Sequence, residues 1–523
     1  MAMQDVIPER GHLRFPDSVA GRLALGIGVA GVLLRGVLLL LDVPPTNSDE
    51  ATMGLAGAHI AAGADLPIWF YGQAYMGTIE AYLAAPLFAL FGSGTLLLRL
   101  PLLLGYAAFL FLMYRLTVRL FTPGLAVVTV GLLALGADRV IKNEMIAGGG
   151  YPEMLPAAAG LMLLALWLAD GGHRPLPRAA GYATFGLVTG LALWVDLLIL
   201  PYLGVAGIVL LVGCHSELRG WAGAVFAGAT VLGALPLIWY NLNAPPGLDS
   251  WSVHNALSAP SDAALVTQLK GGVLIGLPLA TGLCAPGNCA RPLWLWGPLY
   301  LALLAAAVIL ALIGWYRARG GDRLPYLARL GLLAAAAATL AAYLRSGGPS
   351  LDAYESARYL HCLLVSIPAV LWPLWRAGRL RTARLASVAV VVAAAVLATG
   401  QLLATVPRYH ERAEEHRDLV ATLERLGITR VYSEYWTCNR ISFDTRERIV
   451  CAVLTPGMTP GMDRLPTFGD QVRAAAAPAY AFPTGSPTDA AFAQRLTATA
   501  ISATVTETRG YRIYQPVTAV PLP

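Results

Sequence analysis

Apolar stretches long enough to cross a membrane recur along this chain from Leu23 to about Thr405. A membrane-spanning helix needs about 20 mainly apolar residues, and lipid offers no partner to backbone polar groups left outside such a helix. Of the 523 residues, 57% are hydrophobic and 13% are charged, whereas soluble domains carry about 25% charged residues. The sequence therefore predicts a polytopic α-helical membrane protein.

The number of spans depends on one short apolar stretch, "IEAYLAAPLFALFG" (79–92). It contains Glu80 and Pro86 and is too short to cross a bilayer comfortably, which favours a helix on the membrane surface. About eleven transmembrane helices then remain. The predicted spans are 23–42, 99–120, 124–138, 153–170, 181–195, 197–213, 221–240, 293–315, 327–344, 359–375 and 384–406.

Arginine residues set the predicted orientation of these spans. With 79–92 on the surface, five short loops fall on the same side of the membrane, and most are rich in Arg. Positively charged loops stay in the cytoplasm, so we expect the N-terminus inside and the C-terminus outside. The net charge of +6 then reflects membrane orientation and does not indicate nucleic-acid binding. The five loops are "YRLTVRLFTPG", "GGHRPLPRAAG", "CHSELRG", "YRARGGDRLPYLAR" and "WRAGRLRTAR".

Three regions follow from this topology. Residues 1–22 form a polar cytoplasmic N-terminal segment, and 23–406 form a transmembrane domain with a long first outer loop, 43–98. The first apolar stretch has no small-residue cleavage site before "SDEA" and is typical of an uncleaved signal anchor. Residues 407–523 regain an ordinary soluble composition and form the third region.

The third region is predicted to be a small extracytoplasmic α/β domain. It opens with a helical pattern, "RYHERAEEHRDLVATLERLG", which Gly427 closes. Four runs rich in β-forming residues follow. These runs are "ITRVYSEYW", "ISFDTRERIVCAVL", "AAPAYAFP" and "GYRIYQPV".

Four of the six cysteines lie in two close pairs on the predicted outer side. Cys284 and Cys289 share the loop sequence "CAPGNC", and Cys438 and Cys451 lie in the tail. Disulfides form on the oxidising side of a membrane, so two disulfides are expected. Four free thiols without a role are the alternative.

Polar and charged side chains capable of catalysis or ligand binding concentrate in three outer loops. A carboxylate there can act as general base towards a hydroxyl or amine, and an Arg can bind a departing phosphate bidentately. A site at the membrane surface also implies that one substrate is a lipid. The loop residues are Asp49, Glu50, Gln73, Tyr75 and Glu80; Lys142, Glu144, Tyr151 and Glu153; and Asp352, Glu355, Arg358 and Tyr359.

Each of these features also has a structural explanation. Asp49 and Glu50 are placed where they can cap the helix "EATMGLAGAHIAAG". Arg99 and Arg358 stand at span ends, where a long side chain can reach the headgroups. Arg35 is different because it lies well inside the first span, where burial costs about 2.5–3.5 kcal/mol, so we expect it to face a polar interior or a lipid phosphate.

The order of these features resembles the GT-C glycosyltransferases. The likeness rests on one span followed by "DE" in a long outer loop, a surface helix ending in "LFG", and "LRLP" opening the next span. It covers about residues 20–170 and returns at "ESARYLHCLLVSIPAVLWP". Within that class the pattern is most similar to protein O-mannosyltransferases and bacterial aminoarabinose transferases.

The resemblance assigns roles to individual residues. Asp49 matches the first-loop catalytic base, with Glu50 beside it, and Glu153 matches a second acidic position. Arg99 matches the arginine of the family's "R-L-P/F-S" stretch. Two departures concern substrate: "YGQAYMGTIEAY" stands where mannosyltransferases have "HPP", and Glu153 replaces a more usual Asp. Predicted phosphate-binding residues are Arg358, Tyr359, Arg99 and Lys142, and predicted substrate-binding residues are Gln73, Tyr75, Glu80, Glu144 and Tyr151.

The resemblance implies an enzyme of the bacterial inner membrane that works on the outer face. It would move a sugar from a polyprenyl-phosphate carrier to a lipid, glycan or protein acceptor, with inversion at the anomeric carbon. No cofactor and no metal are expected. A divalent cation held by the acid pair, as in the oligosaccharyltransferase branch, is the alternative.

Three other functions remain open from the sequence. A secondary transporter would show inverted repeats and ionisable residues near the midplane, and here Arg35 is the clear midplane charge. A ligase or flippase for lipid-linked sugars would handle the same lipid. An inactive scaffold would use the tail to bind a partner.

Overall fold

The computed structural model describes residues 18–171, 174–257, 260–289, 291–319, 323–377 and 381–522. Residues 1–17 of the predicted N-terminal segment lie outside them. The chain divides into two compact units. The membrane unit comprises residues 1–36, 102–145 and 150–404, and the loop–tail unit comprises 37–101, 146–149 and 405–523.

The described helices up to the middle of the chain include both long apolar segments and short ones. They are α1 (Val19–Leu40), α2 (Ser48–Ala62), α3 (Ile79–Phe91), α4 (Thr95–Leu120), α5 (Pro123–Ala134), α6 (Asp138–Met145), α7 (Tyr151–Ala169), α8 (Pro175–Val195), α9 (Leu200–Leu218), α10 (Trp221–Gly233), α11 (Leu235–Asn243) and α12 (Ser250–Leu257).

The second half contains the remaining helices and five of the seven strands. Its helices are α13 (Leu265–Leu269), α14 (Leu277–Ala280), α15 (Trp296–Arg317), α16 (Leu324–Arg345), α17 (Gly348–Leu351), α18 (Ala353–Ser356), α19 (Leu363–Ala377), α20 (Arg381–Arg425), α21 (Tyr435–Asp444), α22 (Pro466–Arg473) and α23 (Pro487–Thr499). A π-helical segment covers Lys270–Gly276, and 3₁₀ turns cover Leu197–Ile199, Arg291–Leu295 and Ala357–Leu360.

The chain is a multi-pass membrane protein. In the described ranges, seven helices are long and apolar enough to span a bilayer, or up to ten if each of three bent helix pairs is one span. The predicted number of eleven stays a prediction. The eleventh predicted segment, 181–195, lies on α8, which is 21 residues long. The stretch 79–92 forms α3, a 13-residue helix that is too short for this group, as its length predicted.

Glycine lets helices of the membrane unit approach closely. A Cβ on Gly186 would lie 2.3 Å from the Phe226 carbonyl oxygen, and one on Gly190 would lie 2.2 Å from that of Thr230. These two glycines are four residues apart on α8 and face α10. Small residues at such spacing let helix backbones pack directly in lipid, where the hydrophobic effect does not drive association.

Arg35 is fully buried on α1 and is neutralised inside the membrane unit. Its Nε donates to Glu144 Oε2 at 2.8 Å, and Nη1 donates to the Ala134 carbonyl oxygen at 2.8 Å. The guanidinium also lies 3.9 Å from the centre of the Tyr106 ring. The predicted polar interior around Arg35 is therefore confirmed, and its partner is Glu144.

The loop–tail unit combines the first outer loop with the C-terminal domain. The strands β1 (Trp69–Phe70) and β2 (Gln73–Gly77) form an antiparallel hairpin between α2 and α3. The other five strands form one sheet in the order β4-β3-β5-β7-β6, parallel between β4, β3 and β5 and antiparallel beyond β5. These strands are β3 (Arg430–Ser433), β4 (Val450–Val453), β5 (Ala479–Pro483), β6 (Ala503–Thr508) and β7 (Tyr511–Pro516).

The predicted α/β tail is confirmed, but its elements differ from the prediction, and β6 lies outside all four predicted runs. The run "ISFDTRERIVCAVL" was expected to form a strand, but its first half belongs to α21 and only its end forms β4. The opening helix of the tail is not separate, because α20 runs without a break from Arg381 to Arg425. Gly427 follows with a positive φ of 66°, which suits a helix end.

Both predicted disulfides are formed. Cys284–Cys289 closes a short loop in the membrane unit, and Cys438–Cys451 links α21 to β4 in the loop–tail unit. The other two cysteines, Cys214 and Cys362, are free and buried.

Candidate functional site

The pair Asp49–Glu50 lies in the first turn of α2, but neither residue caps the helix. The cap is Asn47, whose side-chain oxygen accepts a hydrogen bond from the Glu50 backbone N–H at 2.9 Å. A carboxylate in the first turn of a helix is also favoured by the helix dipole. Because Asn47 already supplies the cap, both carboxylates are available for other contacts.

Asp49 is held by two residues from the C-terminal domain. The Tyr435 hydroxyl donates a hydrogen bond to Asp49 Oδ1, and Arg464 Nη2 donates to the same oxygen at 3.0 Å. Within the described ranges, Asp49 Oδ2 accepts no hydrogen bond. The Asp49 side chain is 27% exposed while that of Arg464 is 5% exposed, so one carboxylate oxygen is fixed and the other is available to a ligand.

Arg464 is itself fixed by its surroundings. Its Nε donates to the Tyr435 hydroxyl oxygen at 2.8 Å, and its guanidinium lies 4.9 Å from the centre of the Phe70 ring. With the Gln73 amide oriented to accept, Arg464 Nη1 lies 3.0 Å from the Gln73 oxygen. We call Asp49, Gln73, Tyr435 and Arg464 the carboxylate site.

Glu50 makes an entirely different set of contacts from its neighbour. Arg99 Nε and Nη2 donate to its two carboxylate oxygens at 2.6 and 2.5 Å, and both side chains are buried. Thr46 donates its hydroxyl to Glu50, and the Ala147 backbone N–H lies 3.3 Å from Glu50 Oε1. Glu50 and Arg99 therefore neutralise each other inside the loop–tail unit.

Glu80 is a second buried carboxylate of this unit. The backbone N–H groups of Gly148 and Gly149 donate to its two oxygens at 3.3 and 3.4 Å. In the glycine-rich sequence "GGGYP" (148–152), the first two backbone amides therefore bind the Glu80 carboxylate of the first loop. Tyr75 lies on β2 and is half-buried.

The membrane unit carries the other half of the predicted residues. Glu355 accepts from both terminal nitrogens of Arg139 at 2.8 and 2.7 Å, and Lys142 Nζ lies 3.9 Å from it. The charge of the Asp138 carboxylate also acts on Lys142. We call Arg139, Lys142, Glu355 and Arg358 the basic cluster, since the charges of all four interact.

Arg358 joins the basic cluster to a buried acidic region. Its guanidinium lies 5.3 Å from the centre of the Tyr359 ring, and its charge also interacts with Tyr151 and Asp196. Its buried Nε has no hydrogen-bond partner among the described residues. The same holds for both carboxylate oxygens of Glu153, in the first turn of α7.

The predicted residues thus fall into two groups. The loop–tail unit contains Asp49, Glu50, Gln73, Tyr75, Glu80 and Arg99. The membrane unit contains Lys142, Glu144, Tyr151, Glu153, Arg358 and Tyr359. Glu144 is the partner of Arg35, with one oxygen, Oε1, left without a hydrogen bond in the described part of the chain.

Two residues of the carboxylate site were not predicted from the sequence. Tyr435 and Arg464 lie 386 and 415 positions from Asp49 along the chain. Both belong to a tail whose composition is ordinary, and no motif marks them. Asp196, which is buried at the end of α8, was not among the predicted site residues either.

The described residues contain no group of three or more His, Cys, Asp and Glu side chains placed to hold a metal ion. At the acid pair, the two carboxylates are divided between different partners, Asp49 with Arg464 and Glu50 with Arg99. The predicted absence of a metal stays a prediction.

Solved structures with a similar fold cover almost the whole chain. ArnT from Cupriavidus metallidurans bound to undecaprenyl phosphate matches with a TM-score of 0.55 and 15% identity, over 97% of this chain and 100% of that one. The apo state of the same protein gives 0.52 and 16%, over 96% and 99%. The apo oligosaccharyltransferase of Archaeoglobus fulgidus gives 0.50 and 12%, over 90% and 70%.

At the level of sequence, known proteins match only a part of this chain. No family model matches the chain. A segment of 143 residues is 34% identical to human monocarboxylate transporter 11, but it is 25% of this chain and the chain spans only 26% of that protein. What is shown is therefore the fold: this chain is built like ArnT and the archaeal oligosaccharyltransferase, which confirms the predicted GT-C-type fold class.

Proposed function

We propose that this protein is a membrane glycosyltransferase that moves a sugar from a polyprenyl-phosphate carrier to an acceptor. The proposal is carried by the likeness, over nearly full lengths of both chains, to ArnT with undecaprenyl phosphate bound. It is supported by Asp49, which stands at the predicted position of the base and whose Oδ2 accepts no hydrogen bond from the described residues. The archaeal oligosaccharyltransferase has a similar fold, and its name describes the transfer of an oligosaccharide.

The proposed reaction is a direct displacement at the anomeric carbon. Asp49 takes the proton of the acceptor hydroxyl or amine as the acceptor atom bonds to the anomeric carbon. The bond between that carbon and the phosphate oxygen breaks, and polyprenyl phosphate leaves with the bonding electron pair. Attack from the face opposite the leaving group inverts the configuration.

Stabilisation of the leaving phosphate is assigned to the basic cluster. Arg139 and Lys142 lie together at Glu355, and Arg358 keeps a buried Nε without a partner in the described residues. Guanidinium groups bind phosphate in a fixed bidentate geometry, and they act strongly where water is excluded. Tyr359 lies beside Arg358 and supports its orientation.

The remaining predicted residues take supporting roles in the proposal. Glu50 and Arg99 are fully occupied with each other, so we assign them to holding the first loop rather than to the chemistry. Glu153 has no hydrogen-bond partner in the described ranges and remains the second candidate carboxylate, for orienting the acceptor. Gln73, Tyr75, Glu80 and Tyr151 are retained as candidates for sugar or acceptor contacts.

The proposed location is a bacterial inner membrane with the N-terminus in the cytoplasm and the C-terminal domain outside. The two disulfides support this, because such bonds persist in oxidising compartments. Single cysteines in place of Arg473 and Arg317 test it. A membrane-impermeant maleimide added to intact cells should label the cysteine at 473, in the tail, and not the one at 317, in a predicted inner loop. The reverse pattern would refute this orientation.

The activity test uses purified protein in proteoliposomes with a panel of radiolabelled polyprenyl-phosphate hexoses and pentoses, and membranes as the source of acceptor. Wild-type protein should release the label from the carrier, and Asp49→Asn should lower the rate by at least about 100-fold. Undiminished transfer by Asp49→Asn would remove the assigned base. Chelation of divalent cations should leave the rate unchanged, as the proposal includes no metal.

The likeness to ArnT over nearly the full length of both chains favours a transferase over the alternative function, a polytopic transporter or flippase. A transporter would move substrate without breaking a covalent bond. The same proteoliposomes distinguish the two functions. Counterflow of monocarboxylate without cleavage of any labelled carrier would support transport, and cleavage that depends on Asp49 would exclude transport as the explanation.

A further inference from the structure

We infer that Tyr435 and Arg464 of the C-terminal domain are positioning residues for Asp49, and that Asp49 Oδ2 is the oxygen that accepts the proton. The inference rests on the proposed function and extends it, since it makes the carboxylate site incomplete without the tail. Tyr435 and Arg464 would act through Asp49 without touching the reacting atoms.

The contacts of the Asp49 carboxylate are asymmetric. Both the Tyr435 hydroxyl and Arg464 Nη2 donate to Oδ1, and these donors fix the rotation of the carboxylate about its Cβ–Cγ bond. Oδ2 accepts no hydrogen bond from the described residues, and the side chain retains 27% exposure. A base must present one oxygen in a defined direction, and this arrangement leaves Oδ2 for that task.

The two donors, Tyr435 and Arg464, are themselves held in place. Arg464 is bonded to the Tyr435 hydroxyl and to Gln73, and its guanidinium lies over the Phe70 ring. Burial, and then the charge of the nearby carboxylate, raise the pKa of Tyr435. The phenol therefore keeps its proton at neutral pH and acts as a donor.

The helix α21, which carries Tyr435, is fastened to α2 close to Asp49. Ser48 donates its hydroxyl to the Tyr435 carbonyl oxygen, and Asn439 Nδ2 donates to Thr52 Oγ1 at 2.7 Å. Gly54 provides the space, since a Cβ there would lie 2.5 Å from the Phe443 ring. The disulfide Cys438–Cys451 links α21 to the sheet. These contacts hold Tyr435 beside the N-terminal part of α2.

The test measures transfer by full-length Tyr435→Phe, Arg464→Gln and Arg464→Lys, with the labelled carriers described above. Arg473→Gln is the matched control, because Arg473 is an exposed arginine of the same domain that forms an ion pair with Asp470 three residues away. We expect kcat to fall by about 10- to 100-fold in Tyr435→Phe and Arg464→Gln with little change in KM. Arg464→Lys, which keeps the charge, should lose less than Arg464→Gln.

One further readout separates positioning from a merely structural role. In the Asp49→Asn background, Arg464→Gln should cause little further loss, because a residue that acts through Asp49 has nothing left to position. Additive losses, or rates equal to those of Arg473→Gln, would overturn the inference.

A separate measurement keeps the inference testable if no transfer is found in the wild type. In that case the proposed function fails, and hydrogen exchange of the backbone amides of residues 48–52 is compared instead. Faster exchange in Arg464→Gln than in Arg473→Gln would support the holding of Asp49 by the tail. Equal exchange would overturn that too.

Discussion

Arg99 and Glu50 form a buried, two-point ion pair in the loop–tail unit. Arg99 Nε and Nη2 lie 2.6 and 2.5 Å from the two oxygens of Glu50, and the side chains are 1% and 0% exposed. Asp49, the preceding residue, is instead held by one oxygen and partly exposed. Adjacent carboxylates of one helical turn are thus separated into a structural ion pair and a candidate base.

We expect Glu50→Gln to destabilise the protein strongly, because it leaves the Arg99 charge buried without a partner. Removal of one member of a buried ion pair costs about 3–5 kcal/mol, which thermal unfolding in detergent should detect. Arg417→Gln is the control, since it breaks an ion pair with Asp42 whose side chains are 53% and 44% exposed and should cost about 1 kcal/mol or less. Equal shifts in the two variants would contradict the structural role of Glu50.

Arg35→Leu should lower the folded yield of the protein. The substitution leaves Glu144 with no countercharge from Arg35 inside the membrane unit and removes the contact with the Tyr106 ring. The double variant Arg35→Leu, Glu144→Gln should recover part of the yield, because no uncompensated charge is then buried. Yield is measured as monodisperse protein after extraction, with Arg317→Gln, at the exposed end of α15, as the control. Failure of the double variant to recover would argue against neutralisation as the role of Glu144.

Loss of the Cys438–Cys451 disulfide should destabilise the C-terminal domain and reduce transfer together. The bond closes a loop with a sequence separation of 13, and a cross-link of that size contributes about 3 kcal/mol. The double substitution to Ala should lower the thermal midpoint and loosen α21, which carries Tyr435. Cys214→Ala removes a free thiol and no cross-link, so its midpoint should change less. A midpoint unaffected by the double substitution would show that the sheet alone holds α21.

Tyr435 should make the folded protein sensitive to alkaline pH. Its pKa in the folded protein is raised by burial and then by the Asp49 charge, while a free tyrosine titrates near pH 10. Above about pH 10 the unfolded chain releases the phenolic proton and the folded protein retains it, so stability is complete below that pH and falls as pH rises towards the folded pKa. The thermal midpoint of Tyr435→Phe should fall less than that of wild type between about pH 9.5 and 11. Parallel pH dependence would contradict the hydrogen bond to Asp49.

Hydrophobicity and local pattern were sufficient to predict much of the fold. Eight of the eleven predicted spans fall mainly on one helix each, because a bilayer span must be long, apolar and internally hydrogen-bonded whatever its neighbours are. The other three, 124–138, 221–240 and 359–375, overlap bent helix pairs. The same local rule marked 79–92 as a short helix and Gly427 as a helix end. The paired cysteines gave both disulfides from their spacing and predicted side of the membrane.

The partners of the charged residues were decided only by the tertiary structure. Asp49 and Glu50 are neighbours with similar chemistry, yet Arg99 neutralises one while Tyr435 and Arg464 hold the other. Nothing in the sequence indicated that Glu144 would neutralise Arg35. Helix formation is set by residues a few positions apart, whereas a buried charge is stabilised by whichever groups the folded chain brings within hydrogen-bond distance. For Asp49 those groups come from the other end of the protein.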